Sequence, residues 1–137
     1  MAPVLLRCTL IAVALVAGAW LAVGLRVVTL EEKGEKAVES ARRKALDRAE
    51  IERARNALES AQSLTADPAP ELIEGRLSAA SGRRGEAVAF AIRVIAEEPE
   101  NVDAWYLAHV SSEDPKGLAL TRRRVRELNP LLGDQLK

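Results

Sequence analysis

Residues 69–99, APELIEGRLSAASGRRGEAVAFAIRVIAEEP, decide the fold of this chain. Apolar residues recur three or four positions apart on both sides of Ser81 and Gly82, which is the spacing of one face of an α-helix. The stretch therefore predicts a helix, a tight turn, a second helix and a stop at Pro99. Neither apolar face can be covered by one short helix alone, so this pair must pack against further helices.

The longest apolar run lies near the N-terminus. Residues 8–25, CTLIAVALVAGAWLAVGL, carry no charge, and at about 1.5 Å per residue they span roughly 27 Å, close to the thickness of a hydrocarbon core. We expect residues 1–30 to form a single-pass anchor in the cell membrane. Residues 17–19, Ala-Gly-Ala, also fit a signal-peptidase site, but cleavage there would leave the apolar run from Trp20 at the new N-terminus.

The basic residues do not fix the side of the membrane on which the rest of the chain lies. Arg7 alone precedes the apolar run and several basic residues follow it, which favours the cytoplasm. Glutamates are interleaved with those residues, and small domains are also translocated, so the side is left open. Ala14, Gly18 and Ala22 form a small-xxx-small row that would let two anchors pack together, although alanine and glycine are frequent throughout this run.

Beyond the anchor, helical periods alternate with capping signals. Residues 31–66 contain no proline and predict either one long helix or a pair bent near Leu46 to Ala49. Further helix starts are marked by Asp or Asn, most often followed directly by proline. These signals are Asp67-Pro68, Asn101, Asp114-Pro115 and Asn129-Pro130. We expect the last apolar residues, Leu131, Leu132 and Leu136, to cover the end of the core.

The apolar pattern repeats along the chain. Ala54, Ala87 and Leu118 take equivalent places in the second helices of three successive units, at spacings of 33 and 31 residues, within the range of helical repeat proteins. The chain resembles a tetratricopeptide repeat protein over about residues 35–130. The resemblance is carried by Gly75, Ala87, Val94, Pro99, Leu107, Ala108 and Pro130. Its layout resembles the small membrane-anchored repeat proteins of bacterial cell envelopes.

The resemblance implies an all-α fold, in which an N-terminal transmembrane helix is followed by a short α-solenoid of about three helical hairpins and a C-terminal capping turn. Residues 1–30 would be the anchor, residues 31–67 a helical linker or degenerate first repeat, and residues 68–137 the repeats and their cap. The first unit departs from the family pattern, because Arg42 occupies a place where a small residue is expected.

Proteins of this family generally bind extended peptides or partner helices in a concave groove that the first helix of each pair builds. By that resemblance, the groove would be lined by Leu72, Arg76, Ala79, Trp105 and His109. Trp105 points into the groove in one helix register and into the core if the register slips by one residue. Tyr106 takes the opposite role in each case, and the sequence leaves both registers open.

The composition gives no sign of catalysis. Twenty basic residues balance twenty acidic ones, so no strong field attracts nucleic acid. The chain has one His, one Tyr and one Cys, Cys8, which lies in the apolar run and excludes an internal disulfide. No ligand pair at metal spacing and no complete catalytic set is visible, so we expect a protein that is not an enzyme and needs no cofactor. Four arginines in residues 122–126 are expected to form a solvated face paired with acids.

Two functions are consistent with these features. The first is a membrane-tethered adaptor that binds a protein partner, either a peptide or a helix, in the concave groove and serves cell-envelope assembly. The second is a structural protein that forms homo-oligomers through its anchor and through residues 31–66 as a coiled coil. An alanine-rich seam makes a weak coiled coil, so the first function is preferred.

Overall fold

The computed structural model of the chain describes the backbone of residues 2–136 and the side-chain environments of residues 10–136. The side chain of Cys8 lies outside the described residues. Seven helices fill the described part, and it contains no β-strand, so the predicted all-α class is confirmed. The helices are α1 (Ala2–Arg43), α2 (Arg48–Gln62), α3 (Ala69–Ala80), α4 (Arg84–Glu97), α5 (Val102–Ser111), α6 (Pro115–Leu128) and α7 (Pro130–Gly133).

The helix α1 joins the apolar N-terminal run to the packed part of the chain without a break. Its segment Leu10–Arg43 is long and apolar enough to cross a membrane, with a mean hydropathy of 2.2 over its most apolar window, none of which is buried. From Gly34 onward the same helix is packed, because Gly34 lies against Leu58 of α2 and Ile73 of α3. One element is therefore both the apolar segment and the first wall of the core.

A turn over residues 44–47 separates α1 from α2, so residues 31–66 form a pair of helices and not one rod. The turn is fixed by a capping box. The Asp47 carboxylate accepts a hydrogen bond from the backbone N–H of Glu50 at 2.6 Å, and the Glu50 carboxylate accepts one from the backbone N–H of Asp47 at 3.1 Å. Of the two alternatives for this region, the structure has the bend near Leu46.

The remaining helix starts follow the local capping signals. Asn101, Asp114 and Asn129 cap α5, α6 and α7 as predicted, because each side-chain oxygen accepts a hydrogen bond from the backbone N–H three residues later. The start of α3 lies one residue later than predicted. Pro68 is its N-cap residue, and the Asp67 carboxylate accepts a hydrogen bond from the backbone N–H two residues further on.

The helices pack in chain order as antiparallel pairs, α1 with α2, α3 with α4, and α5 with α6. The ion pair between Glu71 in the first turn of α3 and Arg93 in the second half of α4 is consistent with this direction. Helix α3 is central, since it also contacts α1, α2 and α5. Because each turn reverses the chain, the packed end of α1, α3 and α5 run in the same direction.

Two apolar clusters form the core, one on each side of α3. The first lies between the first and second helix pairs and consists of Val38, Ala54, Leu58, Ile73 and Leu77. The second lies between the second and third pairs and consists of Leu72, Ala87, Ala91, Val94, Ala104, Leu107 and Ala108. Alanines make up four of the seven members of the second cluster, so the helix axes approach closely there. Neither cluster contains an aromatic residue.

The short helix α7 closes the C-terminal end of the core. Gly133 lies against the backbone of Arg126, and Leu136 is buried behind it. Leu131 does not cover the core as expected, because 81% of its surface is exposed. The covering contact comes from Leu136, with the half-buried Leu132 beside it.

Candidate functional site

A cleft of about 270 Å³ lies where α1, α3 and α5 meet. One helix of each pair contributes to it, and these three helices run in the same direction. Its lining is mainly apolar, with charged and hydroxyl groups at the rim. The lining residues are Arg42 of α1, Leu72, Arg76, Ala79 and Ala80 of α3, and Asp103, Tyr106, Leu107 and Val110 of α5.

The floor of the cleft is set by helical spacing. On α3 the lining residues are separated by three, four or one positions, and the same is true on α5, so each helix presents one face. Leu72 and Leu107 are buried and belong to the core cluster beneath, so the floor is rigid. Tyr106 and Val110 stand above it and keep 38% and 45% of their surfaces exposed. The result is an apolar trough with room for a side chain from outside.

The rim of the cleft carries two arginines and one aspartate. Arg76 Nη2 lies 2.8 Å from Glu35 Oε1, an ion pair that joins α3 to α1 while both side chains remain partly exposed. Arg42 is exposed at the C-terminal end of α1. Asp103 is exposed in the first turn of α5, at the opposite end of the trough. Asp103 and Arg42 therefore lie at separate ends, while Arg76 lies between them with its charge paired with Glu35.

The structure brings Leu72, Arg76 and Ala79 together, three of the five residues that the sequence assigned to a groove. Trp105 is not among the lining residues. Its indole Nε1–H donates a hydrogen bond to the Pro99 carbonyl oxygen at 2.8 Å, and the ring is half-buried. Tyr106 lines the cleft instead, as in the second of the two helix registers, but Trp105 belongs to neither core cluster, so that register describes Tyr106 alone.

His109 lies away from the cleft, buried between α5 and α6. Its Nδ1 is 3.0 Å from the Thr121 hydroxyl oxygen. The same hydroxyl lies 2.9 Å from the Gly117 carbonyl oxygen and 3.2 Å from the Leu118 carbonyl oxygen. When it donates its single hydrogen to either carbonyl, Nδ1 of His109 is the donor in the bond to Thr121. This histidine ties two helices together and has no opening to a ligand.

Besides Tyr106, which the sequence left as an alternative, five residues of the cleft were not assigned to it from the sequence: Arg42, Ala80, Asp103, Leu107 and Val110. Val110 and Asp103 lie four positions after and three positions before Tyr106, so the helical period would have found both once Tyr106 was placed. Arg42 comes from a different helix pair. Only the packing of α1 against α3 brings it to this site.

A second polar group is half-buried between α2, α3 and α4. The Arg55 guanidinium contacts Glu86 and Ser78, and its Nε lies 3.8 Å from Glu74 Oε1. Burial raises the pKa of Glu74 above the ordinary value of 4.5, while Arg55 and Arg93 oppose the rise. The cluster faces away from the cleft lining and joins the first helix pair to the second.

The remaining surface features are the basic run on α6 and the row of small residues on α1. Three of the four arginines of the basic run on α6 are paired with acids as expected: Arg123 and Arg124 with Glu127, and Arg126 with Asp134. Arg122 differs, because its Nε is buried without a hydrogen-bond partner in the described part of the chain. No group of three His, Cys, Asp or Glu side chains able to hold a metal ion occurs among residues 10–136. The predicted anchor row, Ala14, Gly18 and Ala22, is exposed along α1.

Comparison with known proteins gives no match: no protein family, no curated protein and no solved structure is significantly similar to this chain. The fold and its cleft must therefore be interpreted from their own geometry. What they define is an all-helical protein with one long apolar N-terminal helix and a cleft at the junction of three parallel helices.

Proposed function

We propose that the protein is a non-enzymatic, membrane-tethered adaptor that holds a segment of a protein partner in the cleft between α1, α3 and α5. The observation that carries this proposal is the cleft itself, an apolar trough on a rigid floor with charged groups at its ends. Such a surface can bind an extended segment through one buried side chain, while the rim selects by charge. Its place of action would be the bacterial cell envelope.

The proposal includes a tetratricopeptide-like arrangement of the helix pairs. Gly75 supports it, since a β-carbon there would lie 2.6 Å from Leu107 Cδ2, which shows the close helix approach that the repeat pattern requires. Ala87 and Val94, at two further motif places, have no exposed surface, and α4 ends just before Pro99. With the cleft on the first helix of each pair, these features fit a short α-solenoid.

Tethering by α1 is supported by its exposed apolar surface. Trp20 and Leu21 have 80% and 75% of their surfaces exposed, and a lipid bilayer would cover them. Cleavage after residue 19 as a signal sequence would leave these side chains in water, at a cost of about 1.5 to 3 kcal/mol for each large one. The anchor would raise the concentration of the cleft near membrane partners.

The test is site-specific photocrosslinking in the cells that make the protein. A benzophenone amino acid placed at Tyr106 is expected to capture a defined protein partner. The same amino acid at Ile92, an exposed apolar position on α4 outside the cleft lining, serves as the control and should not capture that partner. Arg76→Glu in the Tyr106 variant should lower the yield several-fold. Equal capture at both positions, unaffected by Arg76→Glu, would remove the cleft from the proposal.

A structural homo-oligomer is the second candidate, and the exposed row of Ala14, Gly18 and Ala22 favours it. No other part of the chain lies within 4 Å of a β-carbon added at Gly18, so a second helix could approach there closely. The break at residues 44–47 limits this candidate to the anchor, since residues 31–66 do not form one rod. Loss of a cross-linked dimer in Gly18→Leu, with capture at Tyr106 intact, would separate the two candidates.

A further inference from the structure

The uninterrupted course of α1 fixes how far the cleft can stand from the bilayer. The expected anchor, residues 1–30, ends at Leu30, and Arg42 at the rim of the cleft lies twelve residues later in the same helix. At about 1.5 Å per residue, Arg42 is about 18 Å beyond the end of the anchor, and less if the helix tilts. This distance is smaller than the diameter of an average folded domain.

The direction of α3 and α5 gives the cleft a lower and an upper end. Gly34 of α1 contacts Ile73 near the start of α3, so the beginning of α3 lies at the level where α1 leaves the apolar run. Leu72 and Asp103, in the first turns of α3 and α5, are therefore at the end nearer the bilayer. Arg42, at the end of α1, marks the far end.

The lower end continues towards the bilayer as a shallow depression. This depression shares Leu72 and Asp103 with the cleft and extends to Asp67, Glu98 and Asn101. Asp67 belongs to the connection between α2 and α3, which lies at the level of the start of α3. A path thus runs from the membrane side, past carboxylates, over the apolar floor, to Arg42 at the far end.

The order of charges along this path specifies what can bind there. Carboxylates at the lower end favour basic groups, the floor favours one apolar side chain, and Arg42 at the far end favours an acidic group. Arg76 lies between these ends and is already paired with Glu35. On the cytoplasmic side of a bilayer, a chain commonly has basic residues next to its span. Extended chain covers about 3.3 Å per residue, so roughly six residues reach the far end.

Resting on the adaptor function proposed above, we infer that the occupant of the cleft is the juxtamembrane segment of a second membrane-anchored protein. The segment follows its own span with basic residues, then an apolar residue on the Leu72 and Leu107 floor, then an acidic residue at Arg42 about six residues from the bilayer. Confinement of both chains to one membrane supplies the local concentration that a small cleft needs.

The test uses synthetic probes with the full-length protein in phosphatidylcholine vesicles, carrying the photocrosslinker at Tyr106. The first probe is a leucine-alanine span followed by Lys-Lys-Ser-Leu-Ser-Glu-Glu. The second has the same span with the seven residues in reverse order, and the third is the tail without a span at the same total concentration. The first is expected to crosslink at least tenfold better than the other two. Equal yields for the first and second, or for the first and third, would overturn the inference.

Changing the length of α1 or of the probe tail tests the distance of the cleft from the bilayer. Seven polar helix-forming residues inserted between Leu30 and Glu31 raise the domain by about 10 Å, so the yield with the first probe should fall and return when its tail is lengthened by about three residues. The same seven residues added after Lys137 are the control and should change nothing. If the insertion disturbs folding, probes with tails of two to sixteen residues on the unmodified protein give the same information. A yield independent of tail length would overturn the inference.

The in-cell experiment separates this inference from the proposed function. If Tyr106 captures a soluble protein and Arg76→Glu lowers the yield, the adaptor function stands and the juxtamembrane inference fails. If it captures nothing above the Ile92 control while the first probe still binds selectively in vesicles, the cleft chemistry stands and the adaptor function fails. A captured segment within about ten residues of a membrane span supports both.

Discussion

Gly75 of α3 faces Leu107 of α5 so closely that a β-carbon at position 75 would lie 2.6 Å from Leu107 Cδ2 and 3.1 Å from Phe90 Cβ. Leu107 is almost fully buried and forms part of the cleft floor, so it has little freedom to move. The spacing between the second and third helix pairs thus depends on the absence of one methyl group.

Gly75→Ala is therefore expected to destabilise the protein by about 1 to 3 kcal/mol through overpacking, more than the roughly 1 kcal/mol that alanine gains over glycine in a helix. Gly85→Ala is the matched control, because no neighbouring atom lies within 4 Å of a β-carbon there, and it should be neutral or stabilising. Urea unfolding of the detergent-solubilised chain, followed by circular dichroism, measures both. Equal free energies of unfolding for the two variants would contradict the close approach.

Substitutions at Tyr106 and Trp105 are expected to affect different properties, partner binding at Tyr106 and folding stability at Trp105. Tyr106→Ala should lower partner capture by a crosslinker at Val110 several-fold with little change in unfolding, because Tyr106 is a partly exposed cleft residue. Trp105→Phe removes the hydrogen bond to the Pro99 carbonyl and should cost about 1 kcal/mol of stability, with capture retained. The reverse pattern would show that the tryptophan is the binding residue.

The buried carboxylate of Glu74 predicts a pH-dependent stability. Burial raises its pKa in the folded state above the ordinary value of 4.5, so the folded state holds this proton more tightly than the unfolded state does. Its contribution is fully present below pH 4.5 and is lost as the pH rises through the folded-state pKa. Relative to the unmodified chain, Glu74→Gln should therefore become progressively more stable from pH 4.5 upward and level off above that pKa.

Chemical unfolding of both chains between pH 4 and pH 8 measures this difference. Glu127→Gln is a useful comparison, since hydrogen bonds from Arg123 and Arg124 lower the pKa of Glu127, which gives the opposite sign. A Glu74→Gln difference that is constant with pH, or that shrinks as the pH rises, would contradict the buried carboxylate.

The C-terminal cap provides a further prediction. A β-carbon at Gly133 would overlap the backbone of Arg126, so Gly133→Ala should displace α7, expose Leu136 and destabilise the fold by about 1 to 3 kcal/mol. Leu131→Ala removes a larger side chain from the same helix, but 81% of its surface is exposed, so its effect should stay within about 0.5 kcal/mol. Thermal unfolding distinguishes the two, and a similar loss in both variants would be inconsistent with the docked cap.

The helices were predictable because their signals are local. Asn101, Asp114 and Asn129 start helices through hydrogen bonds to residues three positions away, and apolar periods mark the faces between them. The bend at Asp47 was less certain, since its capping box needs Glu50 and no proline or glycine accompanies it. The role of Gly34 was not predictable from local sequence, because its contacts with Leu58 and Ile73 involve two other helices.

The cleft was predictable only in part. Leu72, Arg76 and Ala79 lie on one face of α3 and were found from the repeat pattern. The choice between Trp105 and Tyr106 was not fixed, because neighbouring residues on a helix point about 100° apart and only packing against α4 and α6 sets the rotation of α5. Arg42 reaches the site through the fold of the first helix pair, which no local pattern encodes.

Because the helix from Leu10 to Arg43 is unbroken, any tilt of its apolar part also moves its C-terminal end. A span that is longer than the local hydrocarbon layer tilts to fit it, typically by about 20°. Over the twelve residues from Leu30 to Arg42, such an angle displaces the far rim sideways by roughly 6 Å, given a rise of about 1.5 Å per residue. Once this helix is embedded, lipid thickness would thus steer where the rim lies relative to other chains in the same leaflet.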